Sequence, residues 1–360
     1  MLDRSARTAA HPRYVGIGGR WFGDRPGTLR LLDTETGLVS RCPDADWQGL
    51  DELSCSPWRD GEGRYHLMGR WHDFAADQSG DSPGATGVGR GTFPPSRVVD
   101  HVGFEFAVWG RPCWAPDRSD RILFTGGDGR LYLGDFLKLR GPAPSPPQPL
   151  RWQVDPPEGA TGWHRDPCWS DLPALGGRLL ISQLYGLSPT RPGASSHLWW
   201  LELSPDGESI VGAEQALVLE GVGLSPSQDE ERMPTVGVDH TGRPLLAYLA
   251  RAQGQVNWEL WLMPIEPMTS GRGPRVLTTA RRKLAEECAP VLPSFSADGR
   301  WIYAGRTPNG TFRLERLAIP ADASERSPSG SSSGGPRSDK SLGLLEHGPT
   351  GGVIGASAPS

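Results

Sequence analysis

The sequence predicts an all-β fold assembled from a repeated four-stranded unit, and three observations carry that expectation. Composition comes first: 48 Gly, 35 Pro and 14 Trp among 360 residues, with 22% charged residues, make a chain poor in helix formers and rich in turn formers. A helical bundle is excluded. The second observation is a recurring frame of Pro, aromatic, Asp-containing turn and apolar strand. The third is its spacing, close to 60 residues, which suits one β-propeller blade per repeat.

The frame is complete in Pro293-Ser294-Phe295-Ser296-Ala297-Asp298-Gly299, followed by the alternating strand Arg300-Trp301-Ile302-Tyr303-Ala304. It recurs as Pro112-Cys113-Trp114 before Arg121-Ile122-Leu123-Phe124, and as Pro167-Cys168-Trp169 before Arg178-Leu179-Leu180-Ile181. Weaker copies are Pro234-Thr235-Val236 before Leu245-Leu246-Ala247-Tyr248, and Ser54-Cys55 before Tyr65-His66-Leu67-Met68. Cys55, Trp114, Trp169, Val236 and Phe295 hold the index position, 59, 55, 67 and 59 residues apart. A third strand follows in four copies, at Gly129–Leu133, His197–Leu201, Trp258–Leu262 and Phe312–Arg316. Apolar residues at every second position, bounded by Gly, Pro and Asp, are what antiparallel strands require. Upstream, Arg13–Gly18, Thr28–Asp33 and Gly37–Ser40 form a partial unit without its innermost strand. Five full units and one partial unit predict a six-bladed β-propeller of four-stranded antiparallel blades, with five or seven blades as the alternatives.

The Pro-x-aromatic-Ser-x-Asp-Gly frame resembles the WD40-like repeat of TolB-type β-propellers over roughly residues 11 to 319. That resemblance implies that the Ser-x-Asp-Gly turn joins the first and second strands of a blade. It also implies a non-catalytic protein that binds at the mouth of a central channel. Ser204-Pro205-Asp206-Gly207 follows a third strand and is therefore expected in a later hairpin.

The propeller domain is expected over 11–319. Residues 75–97 read as a Gly/Ser/Pro-rich insertion, and Gly141-Pro142-Ala143-Pro144-Ser145-Pro146-Pro147 as a stiff loop. The 320–360 tail buries too little apolar surface to offset ordering entropy and is expected to be disordered. A short strand near 342–355, or residues 2–10, would close the ring.

Net charge of −5 and the absence of a Lys/Arg cluster exclude non-specific attraction to nucleic acid or anionic lipid. No run of eighteen apolar residues and no apolar leader occur, so neither membrane spanning nor secretion is visible. A cytoplasmic monomer is expected, or a periplasmic one if the start site is misassigned. Five cysteines do not make a disulfide scaffold, and Cys113 and Cys168, at equivalent positions, read as small buried core residues.

Sites in propellers gather where loops enter the innermost strands. Those positions carry Glu52, Arg111, His164, Arg165, Asp166, Glu231, Arg232 and Glu287, the candidate ligand-binding rim. No metal site or cofactor is expected: the cysteines lack C-x-x-C spacing, and His66 falls on a strand. Gly330-Ser331-Ser332-Ser333-Gly334 matches G-x-S-x-G by letters but has no strand before it or helix after it. Asn309-Gly310 reads as hairpin chemistry. The expected function is capture of a protein or small ligand at the channel mouth. The alternative is a carbohydrate-active lyase or hydrolase using rim carboxylates such as Glu52 and Glu287 with His and Arg.

Overall fold

The computed structural model describes residues 14–17, 30–33, 36, 39–41, 50–59, 65–72, 86–93, 97–104, 108–116, 120–140, 145–156, 163–170, 172–176, 179–185, 195–216, 229–252, 255–266, 275–276, 280–296, 298–310 and 313–320. The ring-closing candidates 2–10 and 342–355, and the tail from 321 on, lie outside the described residues.

The described strands are taken in chain order as six successive groups, the last three of which are joined into one hydrogen-bonded sheet through the Ser196–Glu230 and Cys288–Arg306 pairs. The first holds β1 (Tyr14–Ile17), β2 (Arg30–Asp33) and β3 (Val39–Arg41), and the second β4 (Leu50–Arg59), β5 (Tyr65–His72), β6 (Thr86–Phe93) and β7 (Arg97–Phe104). The third is β8 (Val108–Trp114), β9 (Arg121–Gly126), β10 (Leu131–Asp135) and β11 (Gln148–Pro149), with a helical turn α1 (Phe136–Arg140) between its last two strands. A two-residue connector, β12 (Arg151–Trp152), runs parallel to β16 of the following group and covers that sheet's outer edge. The fourth is β13 (Trp163–Trp169), β14 (Leu179–Tyr185), β15 (Ser195–Leu203) and β16 (Ser209–Gln215). The fifth is β17 (Asp229–Val238), β18 (Pro244–Ala252), β19 (Trp258–Glu266), β20 (Arg275–Val276) and β21 (Arg282–Cys288), and the sixth β22 (Ser294–Phe295), β23 (Trp301–Arg306) and β24 (Arg313–Ala318).

Within each group, consecutive strands pair antiparallel as meanders, apart from β20 and β21, which both pair with β19. The first strands stand side by side: β4 beside β8, β8 beside β13, β13 beside β17 and β17 beside β22. β1 lies beside β4 in the same way, so it occupies the innermost position that the sequence reading left empty.

Period-two alternation explains the packing, because neighbouring residues of one strand face different groups. On β15, Trp199 and Leu201 pack with Cys113, Leu123 and Leu131 of the third group, while Leu198 and Trp200 pack with Val236, Leu246 and Tyr248 of the fifth. Both tryptophans are thus inter-sheet contacts, 5% and 1% exposed, rather than one inward and one outward. Leu245, Ala247 and Leu249 face Phe295, Ile302 and Leu317 in the same manner. Trp114 and Phe295 are buried as the frame requires, whereas Trp169 is partly buried, with the Arg121 guanidinium 6.0 Å from its ring centroid.

Residues 86–93, expected inside an insertion, form the paired strand β6. Gly87, Gly89 and Gly91 alternate with Val88, Arg90 and Thr92, and backbone pairing to β5 and β7 on both sides outweighs the poor strand propensity of glycine. Val88 is fully buried beside Met68 and Trp114. Arg90 bonds Asp120 at 2.7 Å, lies 5.7 Å from the Trp114 ring centroid, and donates to Nδ1 of His66 through Nε at 3.2 Å.

The Ser-x-Asp-Gly turn has the expected hairpin chemistry. Ser296 Oγ donates to Asp298 at 2.5 Å and accepts from the Trp301 backbone N–H at 3.0 Å, and the turn joins β22 to β23. Ser204 and Asp206 repeat this geometry between β15 and β16, the later hairpin that was expected. Gly299 is left-handed (φ 65°), and a Cβ there would sit 2.4 Å from the carbonyl carbon of Asp239 in the neighbouring turn.

Two stability measurements check this packing. Trp114→Ala is expected to lower unfolding free energy by about 3–5 kcal/mol in urea titration, and Trp169→Ala by less. Gly299→Ala is expected to lose more than the roughly 1–2 kcal/mol of a left-handed alanine alone, since the neighbouring backbone must also move.

Candidate functional site

Every first strand of the second to fifth groups is irregular a few residues before its index position. The pairing register shifts between Asp51 and Ser54 on β4, Trp109 and Cys113 on β8, Arg165 and Cys168 on β13, and Arg232 and Thr235 on β17. In three of these the cause is visible as Arg111-Pro112, Asp166-Pro167 and Met233-Pro234. Proline has no N–H to give the ladder, so the strand bulges and re-aims the side chains around it. Asp166 (φ 49°) and Met233 (φ 51°) are left-handed, an unusual backbone for residues preceding proline.

The bulges bring together residues far apart in sequence. Arg232 donates from Nε and Nη2 to one carboxylate oxygen of Asp166, both at 3.1 Å, and the Met233 N–H adds a bond at 3.3 Å. The pair is nearly enclosed, with side-chain exposures of 13% and 5%. Burial is the largest influence on Asp166 and opposes its ionisation, yet Arg232, Arg165 and the Met233 N–H together hold its carboxyl below the usual range. One position before Trp114 and Trp169 burial acts in the same direction and prevails: Cys113 is pushed up to about 12, with Cys168 adding and Arg111 and the Trp169 backbone counteracting. Cys168 is also raised by burial, and Arg111 again counteracts. Both are buried free thiols, as expected from sequence.

The rim candidates lie inside strands rather than in the loops that precede them. The reason is that a bulge absorbs each proline and lets the ladder resume beyond it. Glu52 occupies the β4 bulge, and Arg111 the β8 bulge. His164 is buried, and its backbone N–H donates to the Gly129 carbonyl at 2.9 Å, tying β13 to the preceding sheet. Asp166 and Arg232 meet. Glu231 turns instead into the neighbouring sheet, where Oε2 accepts from the Leu198 N–H at 3.1 Å and lies 3.7 Å from His197 Nδ1. Glu287 is left-handed (φ 53°), and its carbonyl accepts from the Thr307 N–H at 2.7 Å. Sequence reasoning missed Met233 and the pairing of Arg232 with Asp166, although the repeated residue-before-Pro position marks Met233 and Asp166 themselves. Among the described residues no three His, Cys, Asp or Glu side chains gather as a metal-ligand set.

No protein-family model and no curated protein matches the chain. Among solved structures it is similar to TolB from Acinetobacter baumannii, at 14% identity and TM-score 0.47, covering 81% of this chain and 57% of that one. It is also similar to the Cps50 (Swd1) β-propeller domain of Myceliophteria thermophila, at 15% identity and TM-score 0.43, covering 87% and 83%. An endo-arabinase from Bacteroides thetaiotaomicron gives 10% identity and TM-score 0.41, covering 77% and 96%. The chain thus spans little more than half the length of that TolB. Its own strand order sets the class: successive antiparallel meanders with adjacent first strands make it a β-propeller.

Arg232→Ala strands a buried carboxylate and is expected to cost about 3–5 kcal/mol, whereas the apolar pair Asp166→Leu with Arg232→Met is expected to cost less. Because the folded-state carboxyl of Asp166 lies below its unfolded value, its contribution is full above the ordinary carboxylate range and lost as pH falls through the lowered value. Urea midpoints measured against pH are expected to fall less steeply on the acid side in Asp166→Asn.

Proposed function

We propose that this chain is a six-bladed propeller that captures a protein or small ligand, without catalysing a reaction, at the channel mouth formed by β4, β8, β13 and β17. The observation that carries the reading is the set of bulges that place Arg111, Arg165, Asp166 and Arg232 at equivalent levels of adjacent first strands. Three of the ionisable groups there, Asp166, Cys113 and Cys168, suit recognition or packing more than proton transfer. Asp166 is held ionised by Arg232, and the two thiols are held protonated, whereas acid–base catalysis favours groups that titrate near working pH. Net charge of −5 favours a protein or small molecule over nucleic acid or an anionic membrane. The resemblance of the repeat frame to TolB-type propellers points the same way.

The test is affinity capture followed by titration of the captured partner against Arg165→Gln. Arg165 is chosen because Arg232 is committed to Asp166. Affinity is expected to fall by about tenfold, the loss of one charge-assisted contact, with a smaller loss of melting temperature than in Arg232→Ala, since Arg165 acts on Asp166 without the direct hydrogen bonds that Arg232 makes. Amide protection confined to outer strands upon binding would place the partner elsewhere and reject the reading.

A further inference from the structure

The second and third groups meet through an apolar cluster that includes Met68 and Val88 on one side and Trp114, Ile122 and Phe136 on the other. Arg90, on β6, is set into that seam. Its side chain is 13% exposed, and its guanidinium carbon lies 5.7 Å from the Trp114 ring centroid and 5.6 Å from that of Phe136. Nη1 reaches an Asp120 oxygen at 2.7 Å. Nε and Nη2, which form the other edge of the fork, lie 3.2 Å and 3.0 Å from Nδ1 of His66 on β5, whose ring centroid stands 6.1 Å from that of Trp114. A guanidinium has donors only and keeps its charge, so Nδ1 must be the acceptor. His66 is therefore neutral in this arrangement, with its ring proton on Nε2.

We infer that His66 is a pH-responsive latch between the second and third groups, closed while its imidazole is neutral and released when Nδ1 takes a proton. A proton on Nδ1 faces two N–H donors, so both bonds are lost and a second cation is set against Arg90. Asp120 does not offset this: it is engaged by Nη1, outside the edge that His66 occupies, and at 33% exposure solvent screens it. Among the described residues, other charged or titratable positions in register around the contact are Arg70 and His72 on β5, Asp51 opposite Arg70 on β4, and Asp100 opposite Arg90 on β7. Each of these carboxylates is matched in register by an arginine, and β8 contributes the Trp114 ring. An imidazole in an unfolded chain takes its proton near pH 6.5. Because the folded chain holds His66 neutral, the latch contributes its full stability above about pH 6.5 and loses it as pH falls through the lower value of the folded state. That window lies above the carboxylate range in which Asp166 responds.

Nitrogen NMR of the full chain, with the His66 ring assigned through its contacts to Trp114, is expected to show the Nε2-protonated tautomer at neutral pH and a titration midpoint below the unfolded value of about 6.5. An Nδ1-protonated neutral ring, or a midpoint at or above that value, overturns the inference. Hydrogen exchange reads the latch itself. Between about pH 7.5 and about pH 5.5, amide protection in β5, β6, β8 and β9, corrected for the intrinsic pH dependence of exchange, is expected to fall by about tenfold, the counterpart of one titration displaced by about one unit, while β18 and β19 keep theirs. His66→Asn sets an oxygen acceptor near the place of Nδ1 and takes no proton, and it is expected to abolish this fall. An equal fall in His66→Asn shows that another group drives the change, and an equal fall in β18 and β19 shows that it is not confined to this seam; either result rejects the latch.

Discussion

Every central sheet of this propeller is covered on both faces, and that constraint governs which residues can occupy its strands. A strand of β15 must satisfy two different neighbours with alternate residues, so Leu198-Trp199-Trp200-Leu201 is apolar throughout and yet ordered by face. The same demand makes Leu245-Leu246-Ala247-Tyr248-Leu249 on β18 a continuous buried run. Neither sheet of such a pair can shift register by one residue without exchanging its two cores. Some polar residues that enter these layers arrive paired, as Arg90 does with Asp120 and Glu231 with the Leu198 N–H.

Charged residues, in contrast, gather where the ladders fail. Proline on three consecutive first strands removes a donor at the same level, and the resulting bulges present charged residues that a regular strand would have directed into the inter-sheet cores. Asp166 and Met233 carry the backbone strain of this arrangement, and the Asp166 carboxylate helps to hold it by accepting the Met233 N–H as well as the Arg232 fork.

Elements with strong alternation were legible in the sequence. The third strands lie where Trp258-Glu259-Leu260-Trp261-Leu262 and its counterparts placed them, and Ser204-Pro205-Asp206-Gly207 was assigned to its hairpin by order alone. The strand β6 was not legible, because its stability comes from two flanking backbones and not from its glycines. Which charged residues meet was also hidden: Arg232 and Asp166 are separated by 66 positions, and nothing local to either distinguishes Arg232 from Glu231, which turns into the adjacent sheet.

Turns of the propeller differ in how much room surrounds them, and this sorts them for protein engineering. At Gly299 the backbone of one hairpin rests on that of the next, so added chain there would pry neighbouring groups apart. Beside Gly242 and Gly310 an added Cβ would meet nothing within 4 Å. Those two turns are therefore the natural positions for grafting a reporter peptide or an immobilisation handle while leaving the inter-sheet cores intact.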